Sequence, residues 1–305
     1  MNNPIFDLDD FERKVREDIE SVSPESGMAD NIIPLGRRGA AGSPDLEVVC
    51  MADVKPRPID WLWENWVALG KVSVLAGEGG KGKSTVLCDL AARTSTGELW
   101  PDGNRNHSGP RGVVILAAED DVEDTLAPRL IAAGADTSRI YNIRSVVDDR
   151  IRGSFNLQAD LERLEAEIEK RGDIGLVEID PITSYLGKVD SHKNAEVRAV
   201  LEPLGEMAAR LRVAVLCNNH FTKGAGGSAN NRIIGSVAFV NHARAAFIVT
   251  PDAENDGRIL LMPSKMNIAP IRHGLAYRLE GFVIEGGILT SRIAWETAPV
   301  MIQRG

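Results

Sequence analysis

Residues 77 to 85 read GEGGKGKST, and this short stretch decides the fold. It follows the apolar run KVSVLA (71–76) and precedes VLCDLAARTS (86–95), so the pattern predicts a strand before it and a helix after it. Two phosphate-binding patterns fit the same glycines, the dinucleotide fingerprint G-x-G-x-x-G and the P-loop G-x-x-x-x-G-K-[ST]. The fingerprint also needs an acidic residue at the end of the next strand, about 20 residues on. Here the next strand begins only near Gly112, which favours the P-loop.

A P-loop at this position predicts a nucleoside triphosphate site. Glycines let backbone N–H groups approach phosphate oxygens, and the start of the following helix adds a partial positive charge. Lys83 can reach the β- and γ-phosphates, and the Ser84 hydroxyl can ligate Mg²⁺. No N-K-x-D motif of the GTPase kind is present, so ATP is the expected nucleotide, and the absence of L-S-G-G-Q argues against a transporter ATPase. The predicted nucleotide-binding residues are Gly77, Glu78, Gly79, Gly80, Lys81, Gly82, Lys83, Ser84 and Thr85.

Two further apolar runs end in carboxylates, as a hydrolase would need. IGLVEID (174–180) ends with Asp180, which we expect to hold Mg²⁺ in the manner of a Walker B aspartate, although it could simply begin a turn with Pro181. VVILAAEDD (113–121) ends with Glu119, the candidate general base that activates water. Asp120 and Asp121 are expected to cap the next helix, and capping by all three acids is the alternative.

Composition limits the class of protein. The chain has 305 residues and a net charge of −9, unlike a free-standing basic nucleic-acid binder, but a channel lined by a few Lys and Arg residues stays compatible with it. Three isolated cysteines give no metal-binding framework and are typical of a reducing compartment. No apolar run approaches the ~18 residues needed to cross a bilayer, and the polar N-terminus is unlike a signal peptide. We therefore expect a cytoplasmic protein with no membrane contact.

The chain divides into two predicted parts. Residues 1–55 are polar, with scattered Pro and Gly, and are predicted to be a disordered arm or an arm that docks a partner. Residues 56–305 begin with a cluster of tryptophans, expected to pack inside the domain, and then alternate strands with helices. This alternation predicts an α/β fold with a mainly parallel, twisted sheet flanked by helices. The strand-rich end predicts antiparallel strands toward the C-terminus.

The ordered set of motifs resembles the RecA/DnaB-type P-loop ATPases, and in particular the RepA-like hexameric replicative helicases of plasmids and phages. The resemblance spans residues from about 60 to 270 and includes the P-loop with its Trp-rich lead-in, ILAAEDD (115–121), VEIDPITSYLGKVDSHKNAEVRAVLEPL (177–204), and NNHFTKGAGGSANNRIIGSVAFVNHARAAFIV (218–249). PSKMNIAP (263–270) is also similar to an inter-subunit element of that group.

The resemblance implies roles for individual residues. It makes Glu119 the catalytic base and His220 a sensor of the γ-phosphate. Arg244 matches an arginine that the family can supply to a neighbouring subunit's ATP, and Lys265 matches a lysine near the same phosphate. DnaB-type enzymes often carry Arg two residues after that Lys, whereas this chain has Asn267, so Arg244 is the better candidate for the arginine finger.

The glycine-rich segment 222–232 is expected to bind DNA. Lys223 and Arg232 could meet phosphates, and Asn230 and Asn231 could hydrogen-bond to the backbone, although the segment could also be only a surface loop. By analogy, residues 187–194 face the same channel.

Two functions remain open on these features. The first is an ATP-driven replicative helicase of a plasmid, phage or other mobile element, which assembles as a ring, expected to be a hexamer, on single-stranded DNA and contacts replication proteins through the N-terminal arm. The second is a RecA-type regulatory or loader ATPase that binds DNA or protein without unwinding. A small-molecule kinase would need an Arg-rich lid and an acceptor site, which the sequence does not offer clearly.

Overall fold

The described part of the chain comprises residues 49–148, 151–190, 193–220, 237–271 and 273–301 in a computed structural model, with the side chains of residues 148, 151, 220, 237 and 238 excluded. Internal contacts divide the chain into Met1–Pro56 and Arg57–Gly305. Only residues 49–56 of the first unit are described, and they contain a short 3-10 helix, Met51–Asp53. The predicted arm therefore lies almost entirely outside the described residues.

Fourteen strands are found in the described residues of the second unit. In chain order they are β1 Trp61–Trp63, β2 Val67–Ala68, β3 Val72–Gly77, β4 Gly112–Ala117, β5 Ile140–Asn142, β6 Val146–Asp148, β7 Ile151–Gly153, β8 Ile174–Asp180, β9 Ala214–His220, β10 Ala245–Pro251, β11 Ile259–Met266, β12 His273–Val283, β13 Leu289–Trp295 and β14 Val300–Met301.

The helices alternate with these strands. They are α1 Lys83–Thr96, α2 Ala127–Ala132, which follows a π-helical turn at Val122–Leu126, α3 Leu157–Arg171, α4 Asn194–Leu211 and α5 Val237–His242. Local sequence explains several ends. Asn156 accepts hydrogen bonds from the N–H groups of Gln158 and Ala159 and so starts α3, and Gly97 and Gly172 end α1 and α3 in the left-handed conformation.

One large sheet organises the second unit. Its order is β13-β12-β11-β10-β3-β9-β8-β4-β5, with β14 paired to β12. The six strands from β10 to β5 are parallel, and β11, β12 and β13 are antiparallel. This arrangement confirms the predicted mainly parallel α/β sheet with antiparallel strands toward the C-terminus. The carboxyl ends of the parallel strands lie along one edge, which is where open sheets of this type bind ligands.

Hydrophobic cores cover both faces of the sheet. On one face, α3 and α4 pack on the strands through Leu164, Ile168 and Leu204 among others. On the other face, α1 packs together with the lead-in strands β1 and β2. Trp63 and Trp66 are about 1% exposed and stack with ring centroids 4.6 Å apart, so these two tryptophans pack inside the domain as predicted, whereas Trp61 is half-buried. In the described residues, no helix is both long and apolar enough to cross a membrane.

Candidate functional site

The predicted P-loop joins the end of β3 to the start of α1. Gly77 is the last residue of β3 and pairs with Val249 of the neighbouring strand β10. A Cβ atom at Gly77 would lie 2.5 Å from the Val249 carbonyl oxygen, so the close approach of these strands requires glycine. Gly82 caps α1 with φ of +78°, a conformation that favours glycine. Cβ atoms at Gly79 and Gly80 would meet no described atom within 4 Å, so the loop borders open space at these two positions.

Lys83 is held inside the loop. Its side chain is only 4% exposed, and Nζ donates hydrogen bonds to the carbonyl oxygens of Gly77 and Glu78 at 3.0 and 2.8 Å. Burial lowers the pKa of Lys83, while the nearby carboxylates of Asp180, Glu119 and Glu78 act in the opposite direction. The three predicted chemical groups, lysine, metal carboxylate and general base, therefore share one electrostatic environment at the carboxyl edge of the sheet.

Asp180 lies where β8 ends, between β4 and β9. Ala117 of β4 pairs with it, and the amide Nδ2 of Asn218 donates a hydrogen bond to its Oδ1. Asn218 is fully buried, and within the described residues its Oδ1 has no hydrogen-bond partner. The amide thus restrains the Asp180 carboxylate at the end of β8.

The donor set fits Mg²⁺ bound together with a nucleotide. The described residues contain no group of three or more His, Cys, Asp or Glu side chains that could hold a metal. Mg²⁺ keeps several waters and takes one or two protein oxygens plus substrate phosphates, so a dedicated cage is unnecessary. The hydroxyl of Ser84, in the first turn of α1, and the carboxylate of Asp180 would supply those protein ligands.

The three acids after β4 have different surroundings. Asp121 accepts hydrogen bonds from the N–H groups of Glu123 and Asp124 and caps the following helix as predicted. Asp120 does not cap it, which corrects the prediction, because its carboxylate forms an ion pair with Arg129. Burial raises the pKa of Asp120, and Arg129 opposes that shift. Glu119 is exposed, as a residue that must meet water should be. Its charge also raises the pKa of Lys83, so the two side chains are close to each other.

The other predicted residues of the carboxyl edge are only partly described. His220 ends β9 with its backbone opposite Gly77, beside the P-loop, but its side chain is outside the described set. The predicted DNA-binding residues Lys223, Asn230, Asn231 and Arg232 all lie outside the described residues. Their roles stay predictions.

Arg244 and Lys265 lie on the opposite edge of the sheet. The N–H of Arg244 donates to the carbonyl of Val72, at the start of β3, whereas the P-loop follows its end. Five residues of parallel strand separate Arg244 from Val249, the partner of Gly77, which is roughly 16 Å. Lys265 lies close to Arg244 and lines the same cavity. Burial lowers the pKa of Lys265, and the positive charge of Arg244 lowers it further. The structure therefore does not bring these two residues to the P-loop of their own chain.

A cavity of about 490 Å³ opens at this edge, and we call it the amino-edge cavity. Its charged and titratable lining residues are Lys71, Arg198, Glu202, Glu206, His242, Arg244 and Lys265. The Lys265 ammonium donates to the carbonyl oxygens of Val240 and Asn241, at the end of α5, at 3.0 and 2.7 Å. The side chains of Lys71 and Arg244 have no hydrogen-bond or ion-pair partner in the described part of the chain. Two cations that are unpaired among the described residues give this cavity the chemistry to accept an anionic group.

Sequence reasoning missed three residues that shape the site. Asn218 interrupts an apolar strand, and that polar interruption was the available signal. Glu178 is 1% exposed in the middle of β8, and burial beside Asp180 raises its pKa well above the usual range. Tyr277 of β12 donates its hydroxyl to the carbonyl of Lys81 at 2.8 Å, a contact 196 residues apart that local sequence does not indicate.

Comparison with known proteins adds one finding. A family model described as AAA domain matches residues 44–226, more than half of the chain. The matched range includes the P-loop, Glu119, Asp180 and His220, and it ends before Arg244 and Lys265. Comparison with curated proteins gave no significant match.

Proposed function

The chain belongs to the AAA domain family of P-loop ATPases, and on that premise we propose that it is a ring-forming motor that translocates on single-stranded DNA. Its role would be that of a replicative helicase of a plasmid, phage or other mobile element. Family membership supports the ATPase activity. The ring and the DNA are our proposal, and each rests on a separate argument.

Binding and hydrolysis of ATP follow from the carboxyl-edge groups. Lys83 and the N–H groups of the loop would bind the phosphates, and Ser84 and Asp180 would hold Mg²⁺, which offsets phosphate charge when bound. Glu119 would accept a proton as the water oxygen attacks the γ-phosphorus. The bond from that phosphorus to the β-γ bridging oxygen then breaks, and ADP and phosphate leave.

The observation that carries the ring is the separation of the two edges. Arg244 and Lys265 have the chemistry to stabilise the charge of a transferring phosphoryl group, but the P-loop of the same chain is out of their reach. They line the amino-edge cavity, whose basic character favours a phosphate supplied from outside the chain. A neighbouring subunit that inserts its nucleotide there would complete both sites, and a head-to-tail contact of this kind forms a ring when its rotation closes.

Single-stranded DNA is the expected partner because of the glycine-rich segment 222–232. Lys223 and Arg232 would neutralise phosphates there, and in the sequence this segment begins two residues after β9, whose last residue His220 pairs with Gly77. The acidic net charge of −9 fits a motor whose basic residues are confined to a channel.

The test measures hydrolysis and unwinding on the same preparation. We expect single-stranded DNA to accelerate ATP hydrolysis, a forked duplex to lose its displaced strand, and the mass in solution with ATP to be that of several subunits. Lys223→Ala combined with Arg232→Ala should weaken single-strand binding and flatten its salt dependence, because fewer counterions are released. Lys83→Ala serves as the inactive control.

The outcomes separate the two candidate functions. DNA-stimulated hydrolysis without strand displacement would indicate a regulatory or loader ATPase instead. A protein that hydrolyses ATP as a monomer, with no response to DNA, would contradict both the ring and the motor.

A further inference from the structure

The C-terminal strands β12 and β13 contact the P-loop and α1 directly. Tyr277 and Leu279 of β12 reach the loop, and Trp295 of β13 reaches the helix, although β10 and β11 separate β12 from β3 in the sheet. We call Tyr277, Leu279 and Trp295 the C-terminal brace. All three lie beyond residue 226, where the family match ends.

The tyrosine contact fixes the orientation of one peptide unit in the loop. The Tyr277 hydroxyl donates to the carbonyl oxygen of Lys81 at 2.8 Å. That carbonyl and the N–H of Gly82 belong to the same planar, trans peptide, so they point in opposite directions. Holding the carbonyl toward β12 therefore turns the Gly82 N–H away from β12. P-loops bind phosphate through such N–H groups.

Leu279 supports the same turn from behind. Gly82 has φ of +78°, and a Cβ atom on it would lie 2.6 Å from Leu279 Cδ2, so the leucine packs against the glycine backbone. The Leu279 side chain is 38% exposed, and its contact with Gly82 accounts for part of its buried surface.

Trp295 fixes the helix that follows the loop. Its Nε1 donates to Oδ2 of Asp89 at 2.9 Å, and Asp89 also accepts from Arg93 of the same helix at 2.7 Å. The rings of Tyr277 and Trp295 meet edge to face with centroids 5.1 Å apart, so the two contacts form one unit. Tyr277 is fully buried, and burial raises the pKa of its hydroxyl, which therefore stays protonated as a donor.

We propose that Tyr277 is a positioning residue for nucleotide binding: it sets the peptide between Lys81 and Gly82 so that the Gly82 N–H can meet a phosphate oxygen, and Leu279 and Trp295 hold the loop and α1 in the matching position. In this proposal the antiparallel strands β12 and β13 contribute to the ATP site. It rests on the proposed function in one respect, that the P-loop binds a nucleotide.

The test replaces the hydroxyl alone. Tyr277→Phe keeps the ring against Trp295 and removes the bond to Lys81. We expect the KM for ATP and the Kd of a fluorescent ATP analogue with Mg²⁺ to rise about 3–10-fold, the range of one hydrogen bond. At saturating ATP, kcat should change less than about twofold, because the groups that carry the chemistry are untouched.

Two controls separate positioning from general loss of stability. Tyr141→Phe also removes one hydroxyl, but from a ring of β5 that lies under Arg171, and it should leave KM unchanged. Ile168→Val thins the core under α3 on the other face of the sheet. If it lowers Tm as much as Tyr277→Phe does, it should still leave KM unchanged.

The outcomes are distinguishable from failure of the proposed function. If the wild-type protein and Tyr277→Phe bind the analogue equally well, the positioning role of Tyr277 is wrong, and nucleotide binding by the P-loop still stands. An equal rise of KM in Tyr277→Phe and Ile168→Val would overturn that positioning role too, since stability would then explain the effect. Wild-type protein that does not bind the analogue would overturn both proposals.

Discussion

At the scale of single residues, three neighbouring acids differ in what surrounds them. Asp121 caps a helix, Asp120 is paired with Arg129, and Glu119 is exposed near the ammonium of Lys83. A general base needs access to water and a carboxylate that is ionised at working pH. Asp120 is only partly exposed, whereas Glu119 is exposed and can meet water. The surroundings therefore favour Glu119 over its neighbours.

This difference predicts that the isosteric variants Glu119→Gln and Asp120→Asn lose different properties, turnover in the first and thermal stability in the second. Glu119→Gln keeps the shape but cannot accept a proton, so turnover should fall about 10²–10⁴-fold while ATP stays bound. Asp120→Asn weakens the ion pair with Arg129 and should therefore lower Tm. Turnover should be largely retained in this variant. Steady-state hydrolysis, ATP binding and thermal unfolding of both variants check this. If Asp120→Asn is the inactive variant, the base has been assigned to the wrong carboxylate.

At the scale of elements, the P-loop depends on how closely β3 and β10 approach each other. Gly77 touches the backbone of Val249, whereas Gly79, two residues on, borders open space. Gly77 is therefore required by the packing of the two strands. Gly79 is not, and a side chain there would compete only with a bound ligand. Sequence motifs treat the two as equivalent, and the neighbouring strand distinguishes them.

Alanine at these two glycines should separate stability from binding. Gly77→Ala must push β10 away from β3, and such overpacking costs about 1–3 kcal/mol. For a domain of this size that corresponds to a fall in Tm of about 2–12 °C. Gly79→Ala should leave Tm unchanged but raise the KM for ATP, because the methyl group enters the phosphate space. Differential scanning fluorimetry without nucleotide and ATP titration measure the two effects. Equal losses of Tm in both variants would contradict the role of Val249.

At the scale of the whole molecule, the sheet places two kinds of cation on opposite edges. Lys83 lies at the carboxyl ends of the parallel strands, and Arg244 lies at the amino end of β10. If ATP bound at one edge meets Arg244 from a second copy, neither copy is complete by itself. Activity then becomes a property of the assembly and of protein concentration.

Mixing two inactive variants tests this division. Arg244→Ala should bind ATP but lose turnover by ~10³–10⁵-fold, as arginine fingers do. Mixing it with Glu119→Gln should restore some hydrolysis, because an intact Glu119 can then meet an intact Arg244 from the other chain. The double variant Glu119→Gln/Arg244→Ala, mixed with Arg244→Ala, is the matched control and should stay inactive. No recovery in rings shown to be mixed would place Arg244 outside the neighbour's site.

The sequence by itself determined the features that depend on local spacing. The strand, the loop and the helix around GEGGKGKST follow from apolar periodicity and from glycine and lysine at fixed positions. Carboxylates at the ends of parallel strands must share an edge, so the meeting of Lys83, Glu119 and Asp180 was predictable from the order of strands and motifs. The alternation of strands and helices likewise predicted the mixed sheet.

Only the tertiary structure decided the contacts between residues far apart in the chain. The hydroxyl of Tyr277 on Lys81, the amide of Asn218 on Asp180 and the pairing of Asp120 with Arg129 each join different elements. No local pattern encodes them, because they depend on the register of strands and on the packing of α1 and α2. The placement of Arg244 at the opposite edge follows from the direction of β10 alongside β3, which the order of motifs along the chain leaves open.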